Sequence, residues 1–153
     1  MKHGDASQYG SSDDHYTPKW VFDALGVEFD LDVASSNSEH VTVPAKRRFT
    51  IEDDGLAQAW DGFIWMNPPF SKPTPWVDRF IEHGNGIALL PVTRGLWWQR
   101  IWSSDALIVP LPHNFKFERH DGKPKPISFM TCLYALGAKG QAAVIRSQIA
   151  KIR

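Results

Sequence analysis

The sequence predicts an α/β fold built on a mostly parallel central sheet. Short apolar runs that read as buried strands, such as Phe63-Ile64-Trp65-Met66 and Ile87-Ala88-Leu89-Leu90-Pro91-Val92, alternate with stretches of helical apolar spacing. Two polar residues, Asp32 and Asn67, stand at the carboxyl ends of such runs, where open α/β sheets collect ligands. The 153 residues suit one domain over 15–153, and the polar Ser-, Gly- and Asp-rich stretch 1–14 is expected to be flexible.

Order is expected from Tyr16. Thr17 is a good helix cap and Pro18 suits the first helical position; Trp20, Val21, Ala24 and Leu25 then share a face and Gly26 ends the helix. Residues 27–34 alternate apolar and acidic side chains as a strand, with Asp32 near its end. After the basic trio Lys46-Arg47-Arg48, the acidic Glu52-Asp53-Asp54 precedes a helix carrying Leu56, Ala59 and Trp60. The strand ending at Met66 follows. Trp76, Val77, Phe80 and Ile81 mark a helix closed by Gly84. Next come the strand 87–92, a helix with Trp97, Trp98, Ile101 and Trp102, a strand at Leu107-Ile108-Val109, a basic loop over 113–126 and a strand over 127–136. A terminal helix carries Val144, Ile145, Ile149 and Ile152. Tryptophans 76, 97, 98 and 102 read as core.

Composition excludes several classes. Seventeen basic and seventeen acidic residues cancel, so any nucleic-acid binding must use local patches. The single cysteine, Cys132, sits in an apolar run and reads as a reduced core thiol of a cytoplasmic protein. No apolar stretch resembles a signal peptide or approaches the roughly 20 residues of a membrane span. The six histidines show no metal-ligand spacing, so no metal is expected.

Chemistry is expected at Asn67-Pro68-Pro69-Phe70. The prolines fix the backbone and remove two donors, so the Asn67 amide is held in one direction. Its side-chain oxygen and the Pro68 carbonyl can both accept from one NH2 group, while Phe70 offers a face to a planar ring. Holding both N–H bonds of a conjugated amine favours a pyramidal nitrogen whose lone pair points toward an in-line electrophile. The bland alternative is a proline-rich turn after a strand.

The tetrapeptide resembles the [DNS]-P-P-[YFW] motif of amino-methyltransferases. Tyr16-Thr17-Pro18, Asp30-Leu31-Asp32-Val33-Ala34-Ser35, the segment Glu52 to Trp60, and Trp76-Val77 extend the likeness to the phage-type DNA N6-adenine methyltransferases, the small Dam-like family. The resemblance covers about Tyr16 to Leu136. It implies a compact, abridged Rossmann-like methyltransferase fold, S-adenosylmethionine as cofactor, DNA as partner, and a phage or prophage protein in a bacterial host. It also implies that Tyr16, Thr17, Pro18 and Ala34 contact the cofactor, that Asp32 takes its ammonium, and that Asp54 accepts from its adenine amino group. An acid ending a strand is also a common capping device, and Asp54 could simply cap a helix. The usual glycine-rich turn is replaced by Ala34-Ser35-Ser36-Asn37, and Asn37 or Glu39 are the candidates for the ribose hydroxyls.

Candidate DNA contacts are Lys46, Arg47, Arg48 and Arg94, and a loop in which Lys116, Arg119, Lys123 and Lys125 lie among Phe115 and Phe117. The expected reaction is methyl transfer to adenine N6 in DNA with the base turned out of the helix. Alternatives are cytosine N4, a protein glutamine amide (release-factor methyltransferases share the N-P-P-[YF] loop), or a non-catalytic DNA-binding relative.

Overall fold

A computed structural model describes residues 15–38 and 40–151; the segment 1–14, Glu39, Ile152 and Arg153 lie outside the described residues. The first helix, α1 (Lys19–Leu25), buries Val21, Phe22 and Leu25, and Gly26 at φ 65° ends it by donating its N–H to the Phe22 carbonyl. Its start differs from expectation. Pro18, extended at ψ 150°, takes the cap position, and Thr17 does not cap because its side chain turns into the protein, where the residue is 3% exposed. Trp20 lies at the edge of the buried stripe, 42% exposed, with its ring edge-on to Phe115.

The strands are β1 (Phe29–Asp32), β2 (Ala45–Arg48), β3 (Ile64–Met66), β4 (Gly86–Pro91), β5 (Leu107–Pro110), β6 (Phe117–Glu118), β7 (Pro124–Lys125) and β8 (Thr131–Leu136), with helices α2 (Thr74–His83), α3 (Leu96–Trp102) and α4 (Ala138–Ser147) between and after them. Six strands form one sheet in the order β2-β1-β3-β4-β8-β5, and β6 pairs with β7 apart from it. β2, β1, β3 and β4 pair in parallel; β8 runs antiparallel to both β4 and β5. The class and the mostly parallel sheet are those expected, and the order is compatible with a Rossmann-like fold.

Successive side chains of the central strands feed opposite faces. Trp65, Ile87, Leu89, Leu133 and Ala135 pack with α1 and α4, whereas Ile64, Met66, Ala88, Leu90 and Tyr134 pack with Trp76, Val77 and Phe80 of α2 and Trp97 and Ile101 of α3. Both faces are therefore covered, which is why these strands read as continuous apolar runs. Cys132 is a buried free thiol.

The chain leaves β1 toward one edge to make β2, then returns to make β3 on the other side of β1. This reversal opens a crevice beyond the carboxyl ends of β1 and β3, the place where open α/β sheets bind ligands. The connection 33–44 carries no helix among its described residues, and the expected helix after Asp54 is one 3₁₀ turn, Gly55–Ala57. That turn lies against the end of β1. A side chain at Gly55 would place its Cβ 2.1 Å from the Val33 carbonyl oxygen, so only glycine fits.

The basic trio is the edge strand β2 rather than a loop, and the basic segment 113–126 contains the β6–β7 hairpin. Phe115 and Phe117, expected to be displayed among its lysines, are buried, because they pack beside α1 and Phe22's side of the sheet. Residues 127–130 do not join β8. Trp102 is 60% exposed and stacks on Trp98 at 5.4 Å, since the short helix α3 turns Trp97 and Ile101 inward instead. Among the described residues no helix is long and apolar enough to cross a membrane.

Candidate functional site

A cavity of about 250 Å³ occupies the crevice, large enough to receive part of a small organic molecule. Its walls come from five places: His15, Tyr16 and Thr17 before α1; Asp32 at the end of β1 with Ala34–Asn37 after it; His40–Val43 before β2; Ile51 after β2; and Trp65 with Asn67, Pro68 and Pro69 at the end of β3. Thr42 Oγ1 donates to the Thr17 carbonyl at 2.5 Å, Tyr16 and Ser36 share a hydroxyl–hydroxyl bond, and the Tyr16 backbone pairs in both directions with Glu118. These bonds tie the segment before α1 across the mouth of the crevice.

Asp32 ends β1, 2% exposed. Burial pushes its carboxyl up to about 7; the Ala34 N–H, 3.2 Å from Oδ1, and the Arg48 guanidinium, 3.8 Å from Oδ2, oppose that rise without cancelling it. Arg48 is held on its other side by the Val43 carbonyl at 2.6 Å. The buried Ser35 hydroxyl lies near Asp32 without a hydrogen bond of normal geometry. An under-compensated buried carboxylate beside an unbonded hydroxyl is a receptor for a cation that also carries donors and acceptors, such as an α-ammonium carboxylate.

Asn67 follows β3, one position beyond Met66. Its Nδ2 donates to the His15 carbonyl at 2.7 Å and faces Thr17 Oγ1 at 3.4 Å, so both amide hydrogens are directed away from the space where Oδ1 lies. The amide is thereby fixed as an acceptor. Phe70 does not line the cavity: its ring is stacked on the His15 imidazole (4.9 Å, 30°) and meets Phe117 (5.8 Å) and Phe129 (6.1 Å) edge-on.

Of the other residues singled out from sequence, Pro18 is buried beside the cavity, and Asp54 is exposed outside it, at φ 55° and with no capping bond. Asn37 lines the cavity but gives its amide to Glu52 at 2.7 and 2.8 Å. Lys46 pairs with Asp30 at 3.6 Å and Arg119 with Asp121 at 4.0 Å, while Arg47 lies over the Phe49 ring. Arg94 and Lys116 are exposed. The wall His40-Val41-Thr42-Val43 escaped sequence reading; its only signal is a β-branched run before Pro44. Among the described residues no group of three or more His, Cys, Asp or Glu could hold a metal ion.

Comparison with known proteins adds an independent line. The model of the family described as DNA N-6-adenine-methyltransferase (Dam) matches residues 6–107. A protein of Haemophilus phage HP1 (strain HP1c1), named DNA N-6-adenine-methyltransferase, is 41% identical over 71 residues, which cover 43% of this chain and 39% of that protein. The match thus spans about two fifths of the relative's length. No solved structure matches the chain.

Proposed function

The chain belongs to the DNA N-6-adenine-methyltransferase family, and from that premise we propose that it transfers a methyl group from S-adenosylmethionine to the N6 amino group of adenine in DNA. The observation that carries the reading is the single cavity joining Asp32, a buried carboxylate suited to an ammonium, to Asn67, an amide fixed as an acceptor.

When bound, S-adenosylmethionine supplies an electrophilic methyl group on a sulfonium. The Asp32 carboxylate takes the cofactor's ammonium, and the Ser35 hydroxyl lies within the same end of the cavity. At the other end, Asn67 Oδ1 and the Pro68 carbonyl accept the two N–H bonds of the adenine amino group. That pair of bonds draws the nitrogen lone pair out of conjugation and aims it at the methyl. Asn67 orients and polarises; it is not a base, and the proton shed after transfer goes to water. Phe70 provides the face on which the extruded ring stacks.

The deciding experiment incubates the protein with methyl-labelled S-adenosylmethionine and plasmid DNA, then analyses the nucleosides. Label in N6-methyladenine is expected. Label in N4-methylcytosine, or in a release factor supplied instead of DNA, would transfer the chemistry to another nitrogen. No label, together with no thermal shift by S-adenosylhomocysteine, would leave a non-catalytic relative.

A further inference from the structure

Two groups assigned above to the target base, the Asn67 amide and the Phe70 ring, are both in contact with one residue, His15. Its carbonyl accepts from Asn67 Nδ2 at 2.7 Å. Its imidazole stacks on Phe70 at 4.9 Å and 30°, and meets Phe117 edge-on at 5.0 Å and Phe129 at 6.0 Å. A flat heteroaromatic ring thus sits in a box of three phenylalanines directly beside the acceptor amide.

We propose that the His15 imidazole is a placeholder for the extruded adenine: it occupies the Phe70 face in the resting protein and is displaced when the base stacks there. The inference rests on the base-methylating reading of the site. Its geometry is restrictive. Centroids 4.9 Å apart already represent ring contact, so no second ring fits between His15 and Phe70 until the imidazole moves. The displacement is local, because the backbone of the next residue is anchored: the Tyr16 N–H donates to the Glu118 carbonyl and the Glu118 N–H donates to the Tyr16 carbonyl, each at 2.8 Å. A side-chain rotation at His15 can therefore clear the box while its carbonyl keeps the Asn67 amide in place. In the resting protein the imidazole fills the box, and the base must compete with it for that place. Competition of this kind lowers apparent affinity by the fraction of molecules in which the box is open.

The test uses the full chain saturated with S-adenosylhomocysteine and titrated with a twelve-residue single-stranded oligodeoxyadenylate. In the free protein the His15 Hδ2 and Hε1 resonances are expected to be displaced by the ring currents of the three phenylalanines, and to move to the values of a solvent-exposed imidazole as the oligonucleotide binds. In parallel, His15→Ala is expected to lower KM for heat-denatured plasmid DNA roughly 3- to 10-fold, and His15→Trp, which fills the box more fully, to raise it. If Asn67 amide resonances shift on titration while those of His15 stay, the base binds and the placeholder idea falls alone. If His15→Ala raises KM, the imidazole is a stacking wall for the base and displacement is wrong. If neither residue responds and no DNA is methylated, the base-pocket reading falls first.

Discussion

Asn67 has one amide orientation open to it, because its NH2 group faces the His15 carbonyl at 2.7 Å and the Thr17 hydroxyl at 3.4 Å. Asn67→Ala should cost about 100- to 1000-fold in turnover, the usual consequence of losing one pre-aimed partner of the transition state. S-adenosylhomocysteine affinity, read by calorimetry, should stay within a few fold. Asn67→Asp should be nearly as damaging, since a carboxylate oxygen would be set against the His15 carbonyl; near-normal rates in either variant would remove Asn67 from the chemistry. Asp32 makes the complementary case. Burial raises its carboxyl to about 7, so the folded protein holds a proton there that the unfolded chain releases near pH 4. Its contribution to stability is therefore complete below the ordinary carboxylate range and is lost as pH rises through about 7. Asp32→Asn should remove that decline and raise Tm above pH 7, by about 2–4 °C for each kcal/mol relieved. An ammonium ligand needs the ionised form, so wild-type affinity for S-adenosylhomocysteine should strengthen by about tenfold per pH unit up to about 7 and then level off. Asp32→Asn should bind it weakly at every pH. Pairing thermal melts with calorimetry across pH 5–8 checks both; an unchanged affinity in a folded Asp32→Asn would make the residue structural.

Elements whose burial is one-sided and apolar were legible in the sequence, and elements held by charge or by backbone alone were not. Helix α2 and strands β3 and β4 bury nearly every residue that their apolar spacing nominated, whereas the last strand buries Thr131–Leu136 and leaves the nominated 127–130 outside it. Edge strand β2 hid behind Lys46, Arg47 and Arg48, whose exposed side chains carry no periodic signal; pairing with β1 makes it a strand. The two-residue strands β6 and β7 are too short for any pattern, so Phe115 and Phe117 read as displayed when they are buried. The same division runs through the site. That Asp32 and Asn67 would reach the crevice was readable because they end strands, whereas His15 became visible only through its contacts with Asn67 and Phe70. The turn at Gly55 shows how backbone contact alone can set an element against the end of β1. Its Cα meets the end of β1 so closely that Gly55→Ala must push the 3₁₀ turn away from Val33. Overpacking of this kind costs about 1–3 kcal/mol. A lowered urea midpoint with unchanged slope is the expected result, and a midpoint equal to wild type would show that the turn has room to shift.

At the scale of the whole molecule the difficulty is that a chain with seventeen charges of each sign offers DNA no net attraction. Affinity must then come from cations whose charge is not already spent inside the protein. Lys46 is paired with Asp30, Arg48 with Asp32, and Arg119 with Asp121. Among the described residues Arg47, Arg94 and Lys116 form no such ion pair. Their placement is consistent with one DNA-facing end: Arg94 lies just beyond the carboxyl end of β4, Arg47 is in register with Leu31 one step before Asp32, and Lys116 precedes the Phe117 that touches the His15–Phe70 stack. All three therefore sit at the end of the sheet where the cavity opens. Each phosphate contact contributes about 0.9 to the slope of log affinity against log salt on duplex DNA. Replacing Arg47, Arg94 and Lys116 together by alanine should flatten that slope by about 2 to 3, with the methylated nucleoside unchanged. Replacing Lys46 and Arg119 together should alter it by less than one unit per residue, because those charges are partly neutralised before DNA arrives. Fluorescence anisotropy over a salt series measures both slopes. Equal slopes for the two variants would mean that ion pairing within the protein does not decide which cations DNA uses, and that the duplex lies across a different face.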